Sequence, residues 1–340
     1  MLGLRIAVLG TGANGAGIGA DLTAAGHDVV FIEQWPAHVE AMRRNGVRVE
    51  MPEETVITPV RVQHLCEVAE LREPFDIVFL VVKAYDTRWA CELISPLLHN
   101  DSVVVGVQNG MSLDDIRDVV GKHRAVGAVI EIASNMFEPG IVERQNSPET
   151  TWFAVGSVDN DVPPSRIKIV AEVLSAAGTV EISNDIRSSK WMKLVVNAAE
   201  LVPSAILNLP LSEAVQVPGM HELMIETGRE AMDAAIASGS TPRAILGLKG
   251  SMDRDPYGLV DRLFDAVLES YTLPNTKTTV LQDWIKGRRS EVDQINGLVA
   301  KELHRAGRSA PRNKRIVELA HRIESGALDR SPANIELLLQ

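Results

Sequence analysis

Residues 4–9 form a short apolar run that ends in Gly10-Thr11-Gly12-Ala13-Asn14-Gly15, and a helical pattern follows over residues 16–25. A Gly-x-Gly-x-x-Gly turn between a strand and a helix constrains the backbone at three places. Gly10 permits the tight turn out of the strand. Gly12 removes the Cβ that would bar the approach of a pyrophosphate, and Gly15 lets the first helix pack close to the strand. The helix N-terminus adds unpaired N–H groups and a partial positive charge. A second strand over residues 28–32 ends in an acid, Glu33, at the distance of about twenty residues that such turns require. The pattern is that of a dinucleotide site, with Gly10, Thr11, Gly12, Ala13, Asn14 and Gly15 as its cradle. Glu33 can accept hydrogen bonds from an adenosine ribose and repels a 2′-phosphate, so NADH is favoured over NADPH. Arg43 and Arg44 stand a helical segment later.

Further strands extend this pattern. Residues 36–45 read as a helix with proline in its first turn and Gly46 at its end. Residues 47–49 and 56–62 alternate as extended chain. Residues 76–82 are a continuous apolar run, as in a central parallel strand buried on both faces. They end at Lys83, where the sheet's ligands bind. Lys83 is therefore a candidate for cofactor contact, the alternative being a surface lysine that starts a helix. The next strand, residues 102–107, leads to Gln108-Asn109-Gly110. Asn109 offers a donor and an acceptor to substrate or cofactor, or is simply a turn residue before glycine. Residues 125–132 and 152–155 continue the sheet, residues 166–177 form a helix ended by Gly178, and residues 179–182 make a last strand. The fold class is α/β. A Rossmann-type doubly wound sheet spans residues 1–184.

From residue 185 onward the period changes from two to 3.6, so an all-helical domain is expected over residues 185–340. Small-molecule sites favour clefts between two such domains. Its first helix carries Lys190, Trp191, Lys193 and Asn197. Lys193 and Asn197 are four apart and share a face. Apolar neighbours Val195, Val196 and Ala199 desolvate that face, which lowers a lysine's pKa and suits it to donate a proton to a carbonyl. Lys190 is a rival one turn earlier, and a snorkelling lysine on an amphipathic helix is the plain alternative. Glu291 follows among polar residues and reads either as a site acid or as a solvated helix acid. Gly297, inside a helical pattern, marks close packing against another helix. Residues 313–326 close the domain, and residues 329–340 form a docked or frayed end.

Composition narrows the function. The net charge of −11 and the 4% aromatic content argue against nucleic acid and anionic membranes as partners. Two cysteines, Cys66 and Cys91, make neither a disulfide framework nor a metal site in this pattern. No leader-like segment precedes the glycine turn and no stretch spans a bilayer, so a cytoplasmic protein is expected. The apolar helical half is compatible with a homodimer.

Taken together, the glycine turn, Val82-Lys83-Ala84, Gln108-Asn109-Gly110, Trp191-x-Lys193-Leu194-x-x-Asn197, Thr279-x-x-Gln282-Asp283 and Glu291-x-Asp293-x-Ile295-Asn296-Gly297 resemble, in order, the ketopantoate reductase (2-dehydropantoate 2-reductase) family. The resemblance covers residues 5–327. It implies NAD(P)H-dependent reduction of a 2-oxo acid to a 2-hydroxy acid, ketopantoate to pantoate first of all. Lys193 matches the family's general acid and Glu291 the acid that positions it. Asn109 and Asn197 match residues that orient substrate and cofactor. Thr279 stands where a serine binds the substrate carboxylate, and Lys83 matches a lysine at the mouth of the cleft. The chain departs from the family at Leu201, where a second asparagine is usual, with Glu200 before it. Glu33 departs from the usual NADPH preference. These departures admit another branched 2-oxo acid. They also admit a 3-hydroxy acid or opine-type imine substrate, or a silent NAD(H)-binding protein. An amine co-substrate requirement would mark imine chemistry, and cofactor binding without turnover would mark the sensor.

Overall fold

The structure is a computed structural model that describes residues 3–248 and 254–340. In chain order the first part forms β1 (Arg5–Leu9), α1 (Ala13–Ala24), β2 (Asp28–Glu33), α2 (Pro36–Asn45), β3 (Val47–Glu50), β4 (Thr55–Thr58), β5 (Arg61–His64), β6 (Phe75–Leu80), α3 (Thr87–Ile94), β7 (Leu98–Gly106), α4 (Leu113–Val120), β8 (Ala125–Glu131), β9 (Ser134–Asn135), β10 (Ile141–Arg144), β11 (Trp152–Ser157), α5 (Pro164–Leu174) and β12 (Thr179–Ile182). Eight strands make the main sheet in the order β12-β11-β8-β7-β6-β1-β2-β5. All neighbours are parallel except β8 and β11. A second sheet of four short strands runs β4-β3-β10-β9.

β1 lies between β6 and β2, so the chain leaves it in both directions. That is the switch point where open α/β sheets bind ligands. Its residues Ile6 to Leu9 are buried on both faces, as are Ile77 to Leu80 of β6, which is why both stretches read as unbroken apolar runs. Phe31, Phe79 and Phe153 anchor the core across the sheet.

Several elements differ from the sequence reading. α1 begins at Ala13, not at residue 16, because Gly12 is its N-cap and the helix starts directly from the turn. Residues 56–62 do not form one strand. Pro59, which has no N–H to donate, separates β4 in the small sheet from β5 in the main one. α5 starts at Pro164 and stops at Leu174, ahead of the predicted end.

The remaining helices are α6 (Ile186–Ile206), α7 (Leu211–Ala214), α8 (Met220–Ala237), α9 (Pro256–Ser270), α10 (Thr279–Ile285), α11 (Asn296–Arg305), α12 (Pro311–Glu324) and α13 (Ile335–Leu338). The chain divides into two compact units, Met1–Gln108 with Ser112–Arg187, and Asn109–Met111 with Ser188–Gln340. Within the second, α11 packs on α8 and α12, and α8 on α9. Gly297 does not serve helix packing. It lies in the first turn of α11, just after Ile295 breaks the helical course at φ −110°, and a Cβ there would meet Val292 O at an ordinary 3.5 Å. The C-terminal segment is docked: Ser331 N and Asn334 Nδ2 both donate to Ile206 O at 3.1 Å. Among the described residues no helix is long and apolar enough to cross a membrane. Cys66 and Cys91 are both free thiols, and burial pushes the Cys91 thiol up to about 12.

The turn after β1 depends on backbone packing. A Cβ on Gly15 would stand 2.1 Å from Gly10 O, whereas a Cβ on Gly12 would have no neighbour within 4 Å. Gly15→Ala is therefore expected to destabilise the protein by about 3 kcal/mol through a forced backbone shift, and Gly12→Ala by less than about 0.5 kcal/mol. Urea midpoints of the two variants check this; equal midpoints would contradict the packing assignment.

Candidate active site

The glycine turn has the form a pyrophosphate requires. Gly10 adopts φ +90°, and its Cβ position is filled by Val82 N at 2.7 Å, so the chain must turn there without a side chain. The space above Gly12 is open, and α1 starts immediately behind it, presenting its unpaired N–H groups to that space. This open cradle fits a dinucleotide's phosphates. Thr11 is fully buried beneath it, and its N–H and Oγ1 both donate to Glu33 Oε2, at 2.7 and 3.0 Å. Glu33 Oε1 accepts from Gln34 N and Trp35 N, each at 2.9 Å. Glu33, expected from the sequence to contact a ribose, is in this structure the latch of the turn. Asn14 Oδ1 accepts from Ser134 Oγ. Lys83 follows the end of β6 and caps a short 3-10 turn, Ala84–Asp86.

The second unit holds the other candidate residues. Lys190, Lys193, Asn197, Glu200, Leu201 and Ser204 fall at helical spacing on one face of α6. Every one is buried, with Lys193 8%, Lys190 4% and Asn197 2% exposed. Two ammonium groups and a carboxylate on one buried face are costly unless they are paired. Glu291 supplies an opposing charge. It is 3% exposed, not solvated, and stands at the N-terminus of a 3-10 turn, Val292–Gln294. Burial pushes the Lys190 ammonium down from 10.5 to about 8, against the pull of the Glu291 carboxylate.

Several bonds fix what surrounds this face. Asn197 Nδ2 donates to Asn109 Oδ1 at 3.1 Å, so two residues 88 positions apart in the chain form one amide pair. Asn109 Nδ2 and Asn197 Oδ1 remain to offer a donor and an acceptor. Pro203, inside α6, has no N–H for the carbonyl four residues back. Near this point Thr278 Oγ1 donates to Leu201 O at 3.0 Å and ties the start of α10 to α6. Thr279 Oγ1 is buried with no hydrogen-bond partner, an orphaned hydroxyl of the kind a ligand satisfies.

Glu291 is held from both sides. Ser290 N and Oγ donate to Glu324 Oε1, at 2.9 and 2.6 Å. Asn296 Nδ2 donates to Ala198 O at 3.0 Å and to Asn313 Oδ1 at 2.9 Å. Asn296 therefore joins α11 to α6 one residue past Asn197. Nothing in its sequence neighbourhood singles out this strut, because Ala198 and Asn313 are distant in the chain.

The family profile described as ketopantoate reductase PanE/ApbA matches residues 6–157, and the one described as ketopantoate reductase PanE/ApbA C terminal matches residues 185–324. A 2-dehydropantoate 2-reductase of Archaeoglobus fulgidus is 29% identical over 325 residues, covering 95% of this chain and 98% of its own. The crystal structure of a PanE/ApbA family ketopantoate reductase from Ralstonia eutropha JMP134 is 26% identical, with a TM-score of 0.79 over 95% of this chain and 99% of that one. The structure of D-mandelate dehydrogenase with NADH and anilino(oxo)acetate shares the fold, with a TM-score of 0.81 at 20% identity over 95% and 99% of the two chains.

The Lys190 ammonium gives a pH signature. Its folded-state pKa lies below its unfolded one, so between about 8 and 10.5 the unfolded chain binds more protons and stability rises with pH. Lys190→Met removes that rise. The variant's stability relative to wild type is expected to be greatest below pH 8 and to shrink by up to about 3 kcal/mol as pH approaches 10.5. Denaturant titrations across this window measure the difference, and parallel curves would refute it.

Proposed function

The chain belongs to the ketopantoate reductase family of nicotinamide-dependent oxidoreductases acting on CH–OH, and from that premise we propose that it reduces a 2-oxo acid to the 2-hydroxy acid, with ketopantoate the leading substrate and Lys193 the proton donor. The observation that carries this reading is the buried polar face of α6, on which Lys193 and Asn197 sit with Asn109 bonded to Asn197.

A reduced nicotinamide, when bound, supplies the hydride for the carbonyl carbon. The backbone N–H groups of Gly12, Ala13, Asn14 and Gly15 would hold the cofactor's phosphates. Gly10 and Thr11, whose N–H groups are bound to Ile32 O and Glu33 Oε2, would shape the turn beneath them, and Lys83 would be a further contact. Lys193 delivers a proton to the carbonyl oxygen, so hydride and proton together make the hydroxyl. Burial strips water from its ammonium, and the interaction with a developing alkoxide gains strength in that setting. Glu291 offsets part of the positive charge of the two lysines and positions the donor. The Asn109–Asn197 pair turns one donor and one acceptor toward the reacting oxygen. The unpartnered Thr279 hydroxyl takes an oxygen of the substrate carboxylate. Leu201 offers an apolar surface against which a branched carbon such as ketopantoate's gem-dimethyl group can bury.

NADH is the preferred cofactor in this reading, because the Glu33 carboxylate at the end of β2 disfavours a 2′-phosphate. Glu33 also holds Thr11, so its replacement would disturb the turn as well as the preference. The preference is therefore read on the wild-type protein.

Initial rates of NADH and NADPH oxidation with ketopantoate, beside branched and straight 2-oxo acids, test the reading. Saturable turnover of ketopantoate with the higher kcat/KM for NADH is expected. Turnover of another acid alone would reassign the substrate to a pocket re-aimed at Leu201, and no turnover of any would overturn the assignment. Lys193→Met is expected to lower kcat about 10²–10⁴-fold with cofactor Kd unchanged within about threefold. Wild-type kcat in this variant would remove Lys193 from the role.

A further inference from the structure

The Glu33 carboxylate accounts for two of the three polar groups of Thr11, its N–H and its hydroxyl. The third, the carbonyl oxygen, faces His38 Nε2 at 2.8 Å. The other ring nitrogen, Nδ1, accepts from Gly140 N at 2.8 Å. A backbone amide can only donate, so Nδ1 carries no proton. The ring is neutral, the hydrogen sits on Nε2, and Nε2 donates to Thr11 O. Both Thr11 and His38 are fully buried, so no bulk water replaces either bond.

We propose that His38 is a positioning residue for the cofactor: it ties the Thr11 carbonyl to the Gly140 amide and so holds the glycine turn in its receptive shape from the small sheet. The proposal rests on the reading of that turn as the dinucleotide site. Gly140 is a firm anchor. It adopts φ +82°, a Cβ there would press on Ala41 Cβ at 3.1 Å, and its own carbonyl accepts from Arg48 N in β3 at 2.9 Å. The same small sheet grips α1 twice more. Ser134 of β9 donates to Asn14 in the first turn of α1. Arg144 of β10, fully buried, reaches Asp21 two turns on, with Thr151 Oγ1 and Ala177 O as its other acceptors. The four short strands thus brace the turn and the helix behind it. The cradle is pre-formed, and cofactor binding pays less ordering entropy.

Two substitutions each keep half of the imidazole's chemistry. His38→Asn retains an acceptor near the Nδ1 position for Gly140 and loses the donor to Thr11. His38→Gln retains a donor near the Nε2 position. Three readouts separate positioning from mere stability: the Kd for NADH by fluorescence titration, hydrogen exchange of the residue 11–16 amides in the cofactor-free protein, and the melting temperature. We expect His38→Asn to raise Kd about tenfold, the worth of one backbone hydrogen bond, and to speed exchange in the turn. His38→Gln keeps the bond to Thr11 but loses the Gly140 anchor, so its Kd is expected to fall between those of wild type and His38→Asn. At saturating cofactor both keep kcat within about twofold of wild type. Equal losses of melting temperature with Kd unchanged in both variants would overturn the proposal and leave His38 a packing residue. Nitrogen NMR on the wild-type protein guards against a variant that fails to fold: a proton on Nδ1, or an imidazolium, at neutral pH would overturn it as well. Wild-type protein that binds neither NADH nor NADPH would remove its premise. Tight NADH binding without turnover of any 2-oxo acid would strike only the substrate reading, and the Kd comparison would still decide the role of His38.

Discussion

Burying charge on one face of a helix is the constraint on which the second unit depends. α6 carries Lys190, Lys193, Asn197 and Glu200 out of water over fewer than four turns. Such groups are tolerated only where partners are fixed in place, because an unpaired buried charge costs several kcal/mol. The unit answers with one opposing charge, Glu291, and with rigid attachments. Thr278 ties α10 to the Leu201 carbonyl, Asn296 ties α11 to the Ala198 carbonyl, and the C-terminal segment ends on the Ile206 carbonyl. Three elements therefore fasten to the backbone of the one helix that carries these buried polar side chains. The connection that carries Glu291 is held in turn through Ser290 and Glu324.

The first unit solves the opposite problem. Its proposed ligand site is made of backbone, and backbone in a turn has no side chains to hold it. Thr11 is the compensation. All three of its polar groups are bound, two by Glu33 and one by His38, while the glycines on either side stay open to a ligand or to tight packing. The carboxylate that reads as a ribose contact from its place in sequence thus has a structural duty as well. Four donors, Thr11 N and Oγ1, Gln34 N and Trp35 N, already occupy its lone pairs, so a ribose hydroxyl would have to share one of these sites.

Much of this was legible in the sequence, and the exceptions have physical causes. The buried parallel strands could be read because both faces are apolar, and the glycine turn because each glycine answers a different steric demand. Lys193 and Asn197 could be placed on one face from spacing alone. Their union with Asn109 could not, because that contact spans 88 residues and asparagine before glycine is an ordinary turn signal. Pro59 was visible, but not that it parts two strands into different sheets. Gly297 was misread because helical periodicity continues across Ile295 while the backbone does not. His38 was silent altogether. A histidine in the first turns of a helix carries no local mark of bonds to Thr11 and Gly140, and those bonds exist only once the small sheet is formed.

The two units also differ in how they tolerate change. In the turn, specificity resides in the absence of side chains, so almost any substitution at Gly10 or Gly15 meets backbone and strains the fold itself. On α6 it resides in side chains standing on an unbroken helix, and one can be exchanged while the helix keeps its course. Leu201 is such an exchange: its backbone carbonyl still takes the Thr278 hydroxyl whatever its side chain is. The face of α6 can therefore be changed one residue at a time without disturbing the bonds to the Ala198, Leu201 and Ile206 carbonyls that hold the helix. In the proposed reading Leu201, and not the glycine turn, is the position at which a change of substrate preference costs the fold least.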